Sequence, residues 1–315
     1  MHPVLIADIG ATNSRFALTG PDGRPDRMVK YRGDDVASFE AGIARYLDEV
    51  GERPQAAVLA IAAPVEGDAI SMTNRNWSFS LSDLARRFGW RAVRGLNDFE
   101  AVAWALTKLQ SDDAHPIGPA MPAGKGPRAV FGPGTGLGVA ALIPVRDGWR
   151  ALPTEGGHVL FGPASDDEQP IFANLRAAEG MVSAEKVLSG PGIPRLHRAM
   201  HGGTEKLSPA EITAAAHAGD KAAGETIAMF VRLFGRFAGD LALTFRALGG
   251  IYIGGGVARR LGDLLEADAF RAAFENHPPY AGMLRKVPTT LITFDEPGLI
   301  GCAALAEELV RGQAG

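Results

Sequence analysis

The sequence predicts an α/β protein with two related halves. Its 315 residues alternate between strand-like and helix-like stretches, beginning with an apolar strand at 4–7 and later a helix at 39–50. A glycine-bearing turn beside a strand occurs three times, at Gly10, at 132–138 and at 254–256. Because these turns recur without an exact tandem repeat, we expect two related halves.

The remaining elements are predicted from the helical and strand periodicities of apolar residues. The clearest helix places Ile227, Phe230, Phe234 and Leu241 on one face. Residues 111–126 are rich in Pro, Gly, Ala and Asp and lack periodicity, so we interpret them as an inter-domain connection or a surface excursion. The other predicted elements are strands at 14–18, 57–62, 91–96, 250–253 and within 129–160, and helices at 83–88, 100–109, 169–178, 184–188 and 299–310.

Composition and charge exclude several classes of function. The formal net charge is −4 and no block of Lys or Arg stands out, so we expect neither a nucleic-acid nor a membrane partner. Cys302 is the only cysteine, which rules out an internal disulfide and a cysteine-based zinc site. The first residues lack a basic region and reach Asp8 too early for a signal peptide. These features predict a soluble cytoplasmic protein.

The densest glycine motif spans residues 132–138, with four glycines in seven positions and the hydroxyl of Thr135 among them. Backbone without Cβ atoms can approach an anion closely and direct several N–H groups at it; a flexible hairpin turn is the alternative. The chain lacks a Walker A tripeptide. Residues 136–141 fit the dinucleotide pattern, but 139–143 are predicted as a strand where that pattern needs a helix, so we reject a Rossmann site.

Two further turns are candidate nucleotide contacts. The triple glycine at 254–256 follows a strand and precedes a helix, where a nucleotide can approach closely. A tight strand-to-helix turn explains it equally well. Asp8 ends the first strand and is followed by Thr12 and Asn13, a set that suits hydrated Mg²⁺ and phosphate oxygens. Its alternative role is to stabilise its own turn.

Polar residues suited to a sugar occur elsewhere. Asn97 and Asp98 follow a strand and precede a helix, so Asp98 either caps that helix or accepts the proton of an attacking hydroxyl. Glu155 and His158 lie close together on flexible backbone, and Glu185 lies near a helix start. Sugar hydroxyls need such acceptors and donors, although a solvated turn and a helix-dipole contact explain these residues too.

In order and spacing these motifs resemble the bacterial glucokinase family of the hexokinase/actin/Hsp70-like ATPase superfamily. The resemblance runs from about Val4 to Ala304. It is carried by residues 8–13, 96–101, 132–138, 155–158, 183–185 and 250–256.

The resemblance implies an actin-like ATPase (ribonuclease H-like) fold with two α/β domains facing a cleft. The small domain would hold residues 1–107 plus 298–315, and the large domain residues 108–297. It also implies a homodimer that phosphorylates glucose to glucose 6-phosphate with ATP and Mg²⁺.

The resemblance further implies residue roles, with Asp98 as the general base and Asp8 holding Mg²⁺ through water. The family often has glycine where this chain has Ala11; its methyl group requires a negative φ, and we expect a small effect. The sugar would be bound by Asn97, Asp98, Glu155, His158 and Glu185. The nucleotide would be bound by Asp8, Ile9, Gly10, Ala11, Thr12, Asn13, Gly134, Thr135, Gly136, Gly254, Gly255 and Gly256.

Three alternatives stay open at this stage. A kinase of the same fold could act on fructose, mannose or an amino sugar. A non-catalytic sugar sensor is the second; sensors of this superfamily usually carry a DNA-binding module ahead of the first strand, which here starts at Val4. The third is a hydrolase or chaperone-like ATPase, which has no need of the sugar-suited residues.

Overall fold

The computed structural model describes residues 3–10, 12–72, 77–204, 206–265 and 267–313, with side chains described for all of these except 34 and 311–313. The chain forms two compact units. Unit 1 contains Met1–Gln110 and Glu296–Gly315, and unit 2 contains Ser111–Asp295. The division into two functional domains stays a prediction.

Unit 1 is built on a five-stranded sheet of order β3-β2-β1-β4-β7, with a separate β5-β6 hairpin. Strands β3, β2 and β1 are antiparallel, whereas β1, β4 and β7 are parallel. The strands are β1 Leu5–Ile9, β2 Asn13–Thr19, β3 Pro25–Arg32, β4 Ala56–Ile61, β5 Ala69–Ser71, β6 Ser78–Ser80 and β7 Ala92–Asn97, and the helices are α1 Phe39–Val50, α2 Leu81–Phe88, α3 Asp98–Ala105 and α12 Pro297–Gln313.

Unit 2 repeats this arrangement in a six-stranded sheet of order β11-β10-β9-β12-β13-β8. Three antiparallel strands are again followed by two parallel ones, and β8 adds an antiparallel edge. The strands are β8 Ala114–Pro116, β9 Arg128–Pro133, β10 Leu137–Val145, β11 Gly148–Thr154, β12 Ile251–Ile253 and β13 Thr289–Ile292. The helices are α4 Gln169–Glu179, α5 Ala184–Val187, α6 Gly192–His201, α7 Pro209–His217, α8 Lys221–Thr244, α9 Gly256–Leu261, α10 Ala267–Glu275 and α11 Ala281–Leu284.

The central strands are apolar because they are covered on both faces, as parallel strands usually are. Every residue of β4 is buried. In unit 2 the predicted apolar face of α8 packs on β9, where the ring of Phe131 lies 4.7 Å from that of Phe234 and 5.6 Å from that of Phe237. Aromatic pairs at such distances are favourable beyond their buried area. This packing sets the position of β9, the strand that leads into the glycine motif.

The sequence interpretation and the structure differ within residues 111–126. There Ala114–Pro116 forms strand β8, which pairs with β13, and the N–H of Ile117 donates to the carbonyl of Thr289 at 2.8 Å. Three residues are too few to show a strand periodicity, so the pattern missed them. The strand assignment that excluded a Rossmann site is confirmed, because β10 runs from Leu137 to Val145. Among the described residues, none of the helices has the length and apolarity needed to span a bilayer.

Helices α3 and α12 approach each other so closely that only glycine fits at position 301. A Cβ atom at Gly301 of α12 would overlap the carbonyl oxygen of Ala101 in α3. The thiol of Cys302 lies 3.6 Å from the carbonyl oxygen of Ala7 in β1. Helix α12 therefore packs on both α3 and β1, two elements that carry candidate site residues.

We predict that Gly301→Ala lowers the free energy of unfolding by about 1–3 kcal/mol, the usual cost of overpacking. Gly224→Ala is the matched control, since it is also a helical glycine but has open space at its Cβ position. That control should raise the free energy of unfolding by about 0.5–1 kcal/mol, because alanine has the better helix propensity. Urea unfolding of both variants measures the difference; equal effects would contradict the packing argument.

Candidate active site

Strand pairing brings two carboxylates of unit 1 to the same edge of its sheet. In the parallel ladder Asp8 of β1 pairs with Ala60 of β4, and Ala60 pairs with Leu96 of β7. Asp98 follows two residues beyond Leu96, as the first residue of α3. The carboxyl ends of parallel strands are the common site of ligand binding in α/β sheets. The structure therefore places Asp8 and Asp98 near each other at this edge of the sheet.

Asp8 lies in a charged cluster with Arg15 and Glu296. Arg15 is directly opposite Asp8 in the β1–β2 ladder, with its guanidinium 3.7 Å from the Asp8 carboxylate and 2.5 Å from that of Glu296. Burial raises the pKa of the Asp8 carboxyl to about 6; Arg15 opposes this shift, while Asp98 and Glu296 add to it. An added cation at this position would therefore be attracted by several negative groups.

The first turn joins β1 and β2 tightly. The N–H of Gly10 donates to the carbonyl of Asn13 at 3.0 Å, and the exposed Thr12 accepts from the N–H of Gly33 at 2.8 Å. Ile9 is a fully buried core side chain, so it can offer a ligand only main-chain atoms. The prediction for Ala11 lies outside the described residues.

The residue that caps α3 is Asn97. Its side-chain oxygen accepts from the N–H of Phe99 at 2.9 Å and from that of Glu100 at 3.4 Å, while its amide nitrogen donates to the carbonyl of Ala63 at 3.4 Å. Asp98, the first residue of the helix, also accepts from the N–H of Phe99, at 2.8 Å. Asn97 therefore occupies the N-cap position that the sequence allowed for Asp98, and its amide group is already partly committed.

The two glycine motifs of unit 2 lie against each other. Residues 134–136 form the turn between β9 and β10, and the N–H of Gly134 donates to the carbonyl of Gly136 at 2.8 Å. Gly255 has φ +87°, and a Cβ atom there would lie 2.5 Å from the carbonyl oxygen of Pro133. A Cβ atom at Gly132 would similarly lie 2.6 Å from the carbonyl oxygen of Gly254. Protein packing therefore explains two of these glycines without a ligand.

Gly134 has a different environment. A Cβ atom at this position would meet no heavy atom within 4 Å, and its φ is not in the left-handed region. Neither packing nor backbone conformation requires glycine there, so the position leaves open space beside the backbone that a ligand could approach. Thr135, next in the turn, is exposed and can offer its hydroxyl.

The polar residues of unit 2 that the sequence predicted for sugar binding form one cluster. His158 Nε2 lies 3.8 Å from a carboxylate oxygen of Glu155, and His158 Nδ1 lies 3.9 Å from Oε1 of Glu185. The other Glu185 oxygen, Oε2, accepts from the N–H of Leu137 at 3.0 Å. The Glu155 side chain is 76% exposed and that of Glu185 is 31% exposed. The cluster thus offers acceptors and an imidazole to solvent, as a sugar would require.

Sequence reasoning did not name three residues that contact the candidate site. Arg15 could have been found from the turn length, because a hairpin register places it opposite Asp8. Glu296 gave no signal, since it is distant along the chain. Gly190 gave none either, and its N–H donates to the carbonyl of Gly134 at 2.8 Å.

The donor set fits a hydrated magnesium ion that a nucleotide brings with it. Among the described residues there is no group of three or more His, Cys, Asp or Glu side chains that could hold a metal by themselves. Mg²⁺ usually binds through one or two carboxylates together with substrate phosphates and waters. Asp8, with its partly exposed carboxylate near that of Asp98, meets this requirement.

Two sheets with the same order of antiparallel and parallel strands, with the turns β1–β2 and β9–β10 at corresponding places, define an actin-like ATPase fold, as the family resemblance implied. The crystal structure of a glucokinase from an Antarctic psychrotroph superimposes with a TM-score of 0.91, at 33% identity over 98% of this chain and 99% of that one. The chain belongs to the glucokinase family, whose sequence model matches residues 5–309.

Two curated relatives extend this comparison. A glucokinase of Citrobacter koseri is 40% identical over 312 residues, covering 95% of each chain. A bifunctional glk protein of Burkholderia orbicola is 41% identical over 320 residues, covering 99% of this chain and 50% of that protein. The chain therefore spans about half the length of the bifunctional relatives that it matches.

We predict that Arg15→Leu lowers the free energy of unfolding by about 1–3 kcal/mol, because it leaves the half-buried carboxylates of Asp8 and Glu296 without their cation. The control is Arg53→Leu, which removes the partner of Asp48 from an exposed ion pair. Exposed pairs contribute about 0–1 kcal/mol. Urea unfolding at pH 7.5 compares the two; an Arg15 variant no less stable than the control would contradict the prediction.

Proposed function

We propose that this protein transfers the γ-phosphoryl group of ATP to the 6-hydroxyl of glucose, giving glucose 6-phosphate. The observation that carries the proposal is the position of Asp98 at the carboxyl edge of the parallel strands, beside Asp8 and directly after the Asn97 cap of α3. Membership of the glucokinase family supports the choice of reaction.

Asp98 would act as the general base. Its carboxylate would accept the proton of the glucose hydroxyl as that oxygen attacks the γ-phosphorus, which is the task of the aspartate in other phosphoryl transfers to alcohols. The remaining hydroxyls would be bound by Asn97, Glu155, His158 and Glu185. His158, which lies between the two glutamates, can both donate and accept hydrogen bonds. The carboxylates offer acceptors only, so together these groups match the mixed character of sugar hydroxyls.

The nucleotide would be held by the turns of both sheets. In unit 1 the contacts would come from Asp8, the main chain of Ile9 and Gly10, Ala11, and the polar groups of Thr12 and Asn13. In unit 2 they would come from the open position at Gly134, the Thr135 hydroxyl, Gly136 and the triple glycine at 254–256. Magnesium, held by Asp8 through water, would neutralise charge on the β- and γ-phosphates.

Other features of the proposal rest on the family resemblance. A homodimer and a cytoplasmic location stay predictions. Fructose, mannose or an amino sugar as the acceptor is the nearest alternative, because the described cluster would suit any of these hydroxyl patterns. A coupled assay of ADP release with a panel of these sugars separates the alternatives. ADP release without sugar at the same rate would instead favour a hydrolase, and binding of glucose without any ADP release would favour a sensor.

We predict that Asp98→Asn lowers kcat for glucose phosphorylation by about 10²–10⁴-fold, because the amide cannot accept the hydroxyl proton. Glucose should still bind, since the asparagine keeps the shape and a hydrogen-bonding oxygen. Glu100→Gln is the matched control: it makes the same change two residues further along α3, at a carboxylate that we place outside the chemistry.

Steady-state kinetics with ATP and glucose, together with calorimetric glucose binding, provide the measurement. Turnover of the Asp98 variant close to wild type would refute the general-base assignment. An equal loss of turnover in the Glu100 control would attribute the effect to the helix rather than to the base.

A further inference from the structure

The carboxylate of Glu185 contacts both candidate binding regions of unit 2. Its Oε2 accepts from the N–H of Leu137, the first residue of β10 and the one that ends the 134–136 turn. Its Oε1 faces the imidazole of His158 at 3.9 Å. One side chain thus connects the turn proposed for phosphate contact with the cluster proposed for the sugar.

Glycines at 136 and 157 let the backbone lie close to this contact. A Cβ atom at Gly136 would lie 2.5 Å from Oε2 of Glu185, so the turn leaves no space between itself and the carboxylate. A Cβ atom at Gly157 would overlap the carbonyl oxygen of Leu137. The segment before His158, the turn and Glu185 therefore all meet at Leu137.

Within unit 2, the turn has few hydrogen bonds that are independent of Glu185. Its internal bond runs from the N–H of Gly134 to the carbonyl of Gly136 at 2.8 Å, and its external bond comes from the N–H of Gly190 at 2.8 Å. The bond to Glu185 has a charged acceptor, and such bonds are stronger than those between neutral groups. The glutamate is therefore a principal support of the turn.

We propose that Glu185 is a positioning residue for the nucleotide turn as well as a sugar ligand, and that it couples the affinities for the two substrates. This inference rests on the proposed function, since it assumes that the turn contacts phosphate and the cluster contacts sugar. A sugar hydroxyl bound to Oε1 restricts rotation of the carboxylate and so holds Oε2 on the Leu137 N–H. By thermodynamic linkage, a nucleotide that orders the turn favours sugar binding to the same extent.

The decisive measurement is the affinity for MgADP in the absence of any sugar, by isothermal titration calorimetry. Glu185→Ala should raise the Kd of MgADP about tenfold, the equivalent of one hydrogen bond to a charged acceptor. Glu185→Gln keeps an oxygen for the Leu137 N–H and should restore most of the affinity. A residue that only binds sugar would leave the Kd of MgADP unchanged in both variants.

Glu155→Ala is the matched control within the same cluster. Its side chain is mostly exposed and faces His158, with no hydrogen bond to the turn among the described contacts. It should weaken glucose binding while leaving the Kd of MgADP at the wild-type value. The coupling proposal is overturned if Glu185→Ala binds MgADP as the wild type does, or if Glu155→Ala weakens MgADP binding equally.

Two glycine variants of the turn test the coupling through the affinity for glucose. They keep the proposal testable if Glu185→Ala does not fold. Gly136→Ala places a methyl group against Oε2, so it should raise the Kd of glucose about tenfold without nucleotide. Gly134→Ala, two residues away, has open space and should leave the Kd of glucose unchanged. Equal glucose affinities in the two variants would refute the coupling.

The same data separate the coupling from the proposed function. A wild-type protein that binds neither glucose nor MgADP overturns the proposed function and the coupling with it. A wild-type protein that binds both and phosphorylates glucose, with all variants keeping their affinities, overturns the coupling alone.

Discussion

The parallel pairing of β1, β4 and β7 is the constraint on which the candidate chemistry of unit 1 depends. It aligns Asp8 with Leu96 across the intervening strand, so the turn after β1 and the start of α3 open on the same edge. Helix α12 packs against α3, because Gly301 allows the backbones of the two helices to come close together. Without that close approach α12 and α3 would lie farther apart.

Unit 2 has the same order of strands, but its turns are surrounded by glycine contacts. Its β9–β10 turn lies against the triple glycine that follows β12, and several of these glycines are required by backbone contacts within the protein. Gly134 is the exception with open space. A motif of many glycines therefore combines positions that serve packing with a position that leaves room for a ligand, and only the three-dimensional contacts distinguish them.

Electrostatics distinguishes the two groups of candidate residues. In unit 1 burial and neighbouring carboxylates raise the pKa of Asp8 to about 6, and Arg15 is the cation that limits the rise. In unit 2 the glutamates of the sugar cluster are more exposed and face a histidine. A site that handles the phosphates and their metal needs concentrated charge, whereas hydrogen bonding to neutral sugar hydroxyls does not. The two environments are consistent with that difference.

The sequence by itself determined the α/β class, the long helix α8, the related halves and the motifs that mark the family, because periodicity and turn residues are local signals. It could not decide between Asp98 as a cap and Asp98 as a base, since both roles use the same local pattern. The structure assigned the cap to Asn97 and placed Arg15 opposite Asp8, both through contacts close in sequence, whereas only the tertiary structure added Glu296 and the edge strand β8. Glu296 and β8 depend on contacts between residues far apart in the chain, which local patterns do not encode.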